Sequence, residues 1–563
     1  MRQRRIFARL LALTVVVAFV AVACGSSSKS ASKNTTTTAA ATAVPTGGTL
    51  VLGLEQEPDC VDWAGICSGN SYGFWSANVT TIPRAFSVEK AGDSWEYKPT
   101  VLLDGEPTLT TSPKQVVTYK INPKAVWSDG QPITSHDFKY TWDQIAHGKD
   151  IYDRTGWSKI ESVDDSKPDT AVVTYSSPYA DWKSIFGSNY GVFPAHLLEG
   201  KDRDAEMANG YTWSGGPWKI ESWQKTQQIT LVPNDKYWGP KPKLDKVVFK
   251  FITDTSAEFQ AFKAGEVLGI YPQPQLDAID QIAAGITGAK AVYSADTGNA
   301  EGLWFNVSKP PFDDVNVRKA IAYSIDRDTI VNRLFGKLGV KKAMQTVTAP
   351  ILKNFADQSA YAQYKPDLSQ VDKIMTGGGW KKGADGIWAK GGQRASFVLK
   401  STTGNKRREL TEQVIQQQLK AAGFEMSVTE AKAGDLFGDI LPKGDFQIAL
   451  FANVLTSFYP SNCNLFCSKN IPNAAANYSG NNWYRVNDPK IDAQFQPVES
   501  TLDESKAEAA NKQGDAELAK NVYFLPLDPL PDILLTSTKI VGPVQDNPVM
   551  GPFWNLYAWG LKQ

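Results

Sequence analysis

Histidine is the scarcest of the chemistry-bearing residues in this 563-residue chain: there are three, His136, His147 and His196, beside five cysteines. The histidines show neither the helical spacing of a zinc protease nor a neighbouring serine-hydrolase elbow, and no His-Cys-Met cluster accompanies them. The sequence therefore offers no catalytic constellation, no motif for a cofactor and no histidine-based site for a directly coordinated metal. Ser26 to Lys29 has a Ser-x-x-Lys spacing, but it lies in a low-complexity stretch where no oxyanion hole can be organised. An excess of one charge is also missing, since 59 basic residues face 59 acidic ones. A nucleic-acid partner, which needs a basic face, is excluded on that balance. A long apolar run occurs once, from Leu10 to Ala23, and it is short of the ~20 residues a membrane-spanning helix requires. No short-period repeat is present.

What the N-terminus does contain is an export signal. Arg2, Arg4, Arg5 and Arg9 precede the apolar run with no acid among them, the layout of a signal peptide over residues 1–23. Arg4-Arg5-Ile6-Phe7 leaves both the general and the twin-arginine export routes open. Ala21-Val22-Ala23-Cys24-Gly25-Ser26 resembles the bacterial lipobox, with Cys24 as the acylated residue and Ala21 in place of the commoner leucine. Residues 24–48, rich in Ser, Thr, Ala and Lys, cannot bury enough surface to offset the entropy of ordering and read as a flexible tether. Removing residues 1–23 takes away four basic and no acidic residues, so the mature chain is slightly acidic. These features predict a protein on the extracytoplasmic face of the cell membrane, held by a lipid on Cys24.

Beyond Cys24 the cysteines form two close pairs, Cys60 with Cys67 and Cys463 with Cys467, which in an exported protein read as two local disulfides. A four-cysteine zinc site and the other two pairings stay open at this level.

The body begins at Thr49 with the apolar strand Leu50, Val51, Leu52, Leu54. Leu244 to Phe251, Thr255 to Ala264 and Val267 to Tyr271 then give a strand, a helix stopped by Gly265, and a strand. The pattern recurs at Ala395 to Leu399, Arg408 to Ala422 and Phe424 to Val428, with Gly423 as the stop. Two such units predict two α/β lobes, each a sheet with crossover helices. Between them, acids at Asp313 and Asp314 and an apolar stripe from Val317 to Leu334 predict one helix ending at Gly336.

The segment Val116 to Trp142 reads VVTYKINPKAVWSDGQPITSHDFKYTW. Val117 and Tyr119 alternate as a strand, Asp129-Gly130 makes a turn, and Thr134-Ser135 caps a helix with Phe138, Thr141, Trp142 and Ile145 inward. This segment strongly resembles the family 5 solute-binding proteins, the oligopeptide, dipeptide and nickel receptors of ATP-binding-cassette importers. The likeness continues through Gly216-Pro217-Trp218-Lys219-Ile220, Asn234 to Gly239, Lys263-Ala264-Gly265-Glu266, Phe305-Asn306, Pro311 to Asp314, Val317 to Ala320 and Trp380 to Trp388. His196, in Phe193-Pro194-Ala195-His196, resembles a family landmark too. Cys60, Cys67, Trp127 to Gly130, Trp554 and Trp559 resemble the actinobacterial members.

That resemblance implies a periplasmic-binding-protein-like, two-lobed α/β fold of type II with an extra subdomain in lobe I. By analogy lobe I is 49–84, 206–297 and 529–563, the extra subdomain 85–205, and lobe II 298–528, with crossings near Gly298 to Gly302 and Pro526 to Pro531. It implies no enzyme activity, a monomer, a peptide or similar small solute as ligand, and the permease and ATPase subunits of an importer as partners. A sensor role or a metal-chelate receptor on the same fold is the alternative, and a secreted hydrolase the weakest. Loops that the family places at the cleft supply the candidate ligand contacts: Trp75, Asn78, Trp304, Asn306, Asn453, Thr456 and Tyr459. Oligopeptide receptors of the family carry an aspartate in the loop before a proline, pairing with the peptide amino group. Aligned on Pro460, this chain has Thr456 there.

Overall fold

The computed structural model describes residues 44–562 apart from Asp93, Gln273, Gln275, Ala295 and Asp296. The signal peptide, Cys24 and the tether up to residue 43 lie outside the described residues. The chain is tied down slightly before Thr49, because the Gly47 amide donates to the Lys243 carbonyl (2.7 Å) and the Gly48 amide to Asp245 (2.8 Å).

Two mixed sheets organise the body. The larger has seven strands in the order Ala289–Ser294, Asp532–Ser537, Gly269–Ile270, Thr49–Leu54, Lys246–Phe251, Gln228–Pro233 and Trp218–Gln224. Thr49–Leu54 runs parallel to both of its neighbours, with Leu50, Leu52 and Leu54 buried. The helix Thr255–Ala264 carries the chain from Lys246–Phe251 across that strand to Gly269–Ile270. Asp254 starts it by accepting the Ala257 amide (2.8 Å), and Gly265 stops it at φ +77°, a conformation that favours glycine. The smaller sheet has the order Glu425–Ala431, Ser396–Thr402, Ile448–Val454, Asn299–Phe305 and Phe524–Asp528. Its crossover helix, Lys406–Ala421, joins the parallel pair Ser396–Thr402 and Glu425–Ala431. Both strand, helix, strand units read from the apolar periodicity are therefore present.

The family-like segment builds a third, four-stranded sheet of Thr108–Thr110, Val116–Lys120, Thr170–Tyr175 and Ile160–Lys167, with the helix Ser135–His147 against it. Thr134 and Asp137 close a capping box, the Thr134 amide donating to Asp137 (2.8 Å). Phe138, Thr141 and Ile145 are buried as the stripe requires, while Trp142 is only partly buried.

One element departs from the sequence reading. The single helix expected between Asp314 and Gly336 is two, Val315–Ser324 and Arg327–Phe335. Ile325 is extended and Asp326 caps the second helix by accepting the Thr329 amide (2.9 Å). An apolar stripe persists across such a break because both helices pack on the same core, so periodicity alone misses it.

Where the two sheets meet, three charges are removed from water. Glu301, on the fully buried strand Asn299–Phe305, accepts from Arg408 through both oxygens (2.9 and 3.0 Å) and from Arg407 (3.0 Å). Burial alone would raise the Glu301 pKa, but the two guanidinium groups bring it down to about 2. Removing one partner of such a group strands the others in a low-dielectric interior at a cost of about 3–5 kcal/mol. Glu301→Ala should therefore lower the urea-unfolding free energy by about that amount. Lys406→Ala, which breaks an exposed pair with Glu409, should leave the midpoint nearly unchanged, and equal effects from the two variants would contradict the assignment.

Candidate functional site

Residues 56–78, 150–190 and 271–274 face residues 437–483 across a cleft with two adjoining chambers of about 100 and 130 Å³. Asn70, Tyr152, Asn453, Thr456 and Trp483 border both chambers. The first is completed by Asp62, Trp63, Phe74, Asn78, Asp153, Asn189, Tyr190, Asn464 and Asn481. The second is completed by Tyr72, Trp75, Tyr271, Asn299, Arg408, Phe437, Phe451 and Asp532. Aromatic rings supply area while side-chain amides supply both donors and acceptors, the composition of a small-molecule site.

Local structure explains how the lining residues are presented. The segment Ser71–Thr81 is helical with a wide turn at Phe74–Asn78, which keeps Trp75 and Asn78 buried on the cleft side. Trp75 packs edge-on against Tyr271 at 5.2 Å between ring centroids. Asn78 spends both amide hydrogens internally, on the Val61 carbonyl and the Tyr211 hydroxyl (both 2.9 Å). On the opposite wall, Asn453 is the last residue but one of the strand Ile448–Val454 and Thr456 follows in the loop, where its carbonyl accepts from Ser188 Oγ (3.0 Å) across the cleft. Further cross-cleft bonds run from Asn464 to Asp153 (2.8 Å), from the Phe458 amide to the Tyr97 hydroxyl (2.9 Å) and from the Ala180 amide to the Glu499 carbonyl (2.8 Å).

The seven residues named from the sequence do not all meet. Trp75, Asn78, Asn453 and Thr456 line the two chambers. Tyr459 sits in a separate cavity of about 620 Å³, with Phe355 edge-on at 5.3 Å and its hydroxyl on the Val498 carbonyl (3.0 Å). Trp304 and Asn306 are corrections: both are fully buried and border neither chamber. The strand that carries Trp304 lies between two neighbours with both faces covered, so Trp304 stacks on Phe451 and Tyr484 and donates to the Phe451 carbonyl (2.8 Å). Asn306 is consumed by the Gly444 and Phe446 carbonyls. The reading missed Asp153, Asn189, Asn464, Asn481, Tyr152 and Trp483. The signal available was the density of asparagine around the second cysteine pair, from Asn462 to Asn482.

Both cysteine pairs are disulfides, with Cα atoms 5.8 Å apart for Cys60–Cys67 and 4.7 Å for Cys463–Cys467. Each flanks the first chamber, which Cys60, Asn464 and Leu465 help to line.

The sequence model of the bacterial extracellular solute-binding proteins, family 5, matches residues 104–473, well over half of the chain. The chain belongs to this family. It is similar to the oligopeptide-binding protein OppA of Mycobacterium tuberculosis, at 25% identity over 510 residues that cover 88% of this chain and 82% of that protein. Among solved structures, AppA from Bacillus subtilis in complex with a nonapeptide superposes with a TM-score of 0.80 at 20% identity, covering 92% of this chain and 100% of that one. NikZ from Campylobacter jejuni in complex with Ni(L-His) superposes with a TM-score of 0.76 at 19% identity, covering 91% and 99%. The family 5 fold is thus a two-lobed α/β binding-protein fold, and members of the family bind solutes.

The second chamber of this family 5 protein ends on a pair of carboxyl groups. Asp532 accepts from Asn299 Nδ2 (2.5 Å) and hydrogen-bonds to Asp546. Burial, then each carboxyl's proximity to the other, raises Asp532 far above the usual carboxylate range; burial pushes Asp546 up to about 6. A raised carboxyl pKa means the folded state holds a proton that the unfolded chain has already lost, so stability is greatest in acid. For Asp546 about 2–3 kcal/mol should be lost as pH rises from about 4 to above about 6. Urea titrations at pH 5 and pH 8 should show the protein less stable at pH 8, and Asp546→Asn should remove the pair's share of that dependence, the rest coming from Asp181, Asp515 and Asp528, which burial also raises to about 7. A slope left intact in that variant would exclude the pair as its source.

Proposed function

We propose that the protein is the extracytoplasmic receptor of an ATP-driven importer, capturing a peptide or a similar small polar solute between its two lobes and delivering it to the permease. Support comes from family membership together with the make-up of the cleft, where amides and aromatic rings from 56–190 oppose those from 437–483. On this reading lobe I is 49–84, 206–297 and 529–563, the extra subdomain 85–205 and lobe II 298–528. The hinge strands cross at Gly298 to Gly302 and Pro526 to Pro531. Thr297 Oγ1 bonds the Pro529 carbonyl (2.5 Å), holding the two crossings together. A lipid on Cys24 keeps the monomer at the membrane, and residues 24–48 give it reach.

Closure sets an energetic condition. To shift a receptor from 1:99 to 99:1 closed, the solute must favour the closed form by about 5.5 kcal/mol. A micromolar solute yields about 8 kcal/mol in all. Most of the binding energy is therefore realised only in the closed form, which requires a solute that touches both walls. Tyr152 and Asn453, on opposite walls of the same chambers, suit that requirement.

Native mass spectrometry of the protein purified from its own host should reveal a bound small molecule that leaves on unfolding. Small-angle scattering should then give a smaller radius of gyration with that molecule than after its removal. An unchanged radius with a tightly held solute would overturn the closure mechanism.

A further inference from the structure

The hydrogen-bonding groups of the first chamber do not balance. Asp153 lines it with a carboxyl group that accepts from the Thr155 amide (2.8 Å) and from Asn464 Nδ2 (2.8 Å) and also hydrogen-bonds the Thr155 and Tyr190 hydroxyls, all of them neutral donors. No lysine, arginine or histidine among the described residues forms an ion pair with it. The other acid of the chamber, Asp62, is already matched by Arg203 at 2.9 Å. The acid nearest Asp153 in charge interaction, Glu499, holds Lys159 (3.6 Å) and Lys469 (2.6 Å) to itself. In the same chamber the Oδ1 atoms of Asn189 and Asn481 are buried with no hydrogen-bond partner, and Asn481 is only 6% exposed. A buried acceptor left unpaired costs about 1–3 kcal/mol, so two beside an unmatched carboxylate mark a place where donors are missing.

We propose that this wall is a subsite for a positively charged N–H donor of the bound solute, a primary ammonium or a guanidinium group. Asp153 is its counter-charge, and Asn189 and Asn481 Oδ1 take its remaining hydrogens. The chemistry fits both cations, each of which carries several N–H groups and no acceptor. The rings of Trp63, Tyr152 and Trp483 border the same space, and aromatic side chains attract a cation. The indole N–H of Trp63 is also buried and unpaired, which suits an acceptor such as a carbonyl next to the charged group. A neutral or anionic group would leave Asp153 uncompensated in a partly desolvated site.

The inference rests on the cleft being the solute site, and one experiment separates the two. Protein stripped of solute is incubated with two pools of random tripeptides, one with free and one with acetylated amino termini, and retained peptides are identified by native mass spectrometry. The expected result is retention of free-amine peptides and, from the acetylated pool, only those bearing lysine or arginine. Asp153→Asn, whose single amide oxygen can keep the Thr155 bond but not the Asn464 bond as well, should weaken retained peptides at least tenfold while its circular-dichroism spectrum stays that of the folded parent. Asn481→Asp, which adds a second carboxylate, should tighten them. Retention of both pools without regard to charge, or an Asp153→Asn variant that binds as well as the parent, would overturn the subsite while leaving the receptor reading intact. Retention of neither pool would remove the peptide reading and the subsite with it.

Discussion

The burial of Glu301 between Arg407 and Arg408 is the interaction on which the geometry of the cleft depends. Glu301 belongs to the strand that lies second from one edge of the smaller sheet, between Ile448–Val454 and Phe524–Asp528. The two arginines open the crossover helix Lys406–Ala421, so the bonds fix that helix end to the strand. Arg408 reaches the second chamber and also donates to Thr402 Oγ1 (2.6 Å). Its fork has one orientation that satisfies Glu301 bidentately, and that orientation sets one cleft wall. An apolar triad of similar volume could pack as favourably, since desolvation of three charges offsets much of their attraction. What the charged version adds is direction: an arginine fork displaced by an ångström loses its bonds, whereas a leucine so displaced still packs. A second buried carboxyl near by, Asp528, is pushed up to about 7 by burial, so added negative charge at this junction is resisted.

The cleft itself is built on a different principle. Apart from Asp62, matched by Arg203, and Arg408, matched by Glu301, its walls use amides and rings, and the residues that bridge it, Ser188 to Thr456 and Asn464 to Asp153, make single neutral or singly charged hydrogen bonds. Net contributions of such bonds are near 1 kcal/mol each. A rigid junction beside weakly bonded faces is the arrangement needed if the faces are to separate and re-form while the junction bends. Burial of both carboxyls of the Asp532 and Asp546 pair at one end of the cleft adds a proton to that junction, held where Asn299 anchors it.

How much of this was legible in the sequence depended on distance along the chain. The two strand, helix, strand units, the Thr134 capping box and the two disulfides involve partners within about thirty residues, and local periodicity, cap chemistry or close spacing encodes them. The break at Ile325 and Asp326 was hidden because the core asks for the same apolar stripe on either side of it. Trp304 was misread for a related reason: an aromatic in a strand looks alike whether it borders a cleft or a core, and only pairing with Phe524–Asp528 and Ile448–Val454 decides which. Asp153 and Asn464 are 311 residues apart and meet only through the fold. No local pattern announces such a pair, and the cleft composition was legible as a preference for asparagine and aromatics but not as an address.

The disulfides join these two levels. On the chain-entropy account, closing loops as short as those of Cys60–Cys67 and Cys463–Cys467 contributes about 2–2.5 kcal/mol each. That is modest for a body of this size, and neither bridge connects distant parts of the chain. Their placement gives them another effect. Cys463–Cys467 closes the short helix Asn462–Phe466, whose Asn462 bonds Thr348 and Asn511 while Asn464 faces Asp153. Cys60–Cys67 closes the turn that carries Asp62 and Trp63 on the opposite side. Ordering a loop at the moment of binding would subtract about 1–2 kcal/mol per residue fixed. With both loops fixed beforehand, that cost falls on the folding reaction, and the polar groups that line the first chamber are held in place in advance.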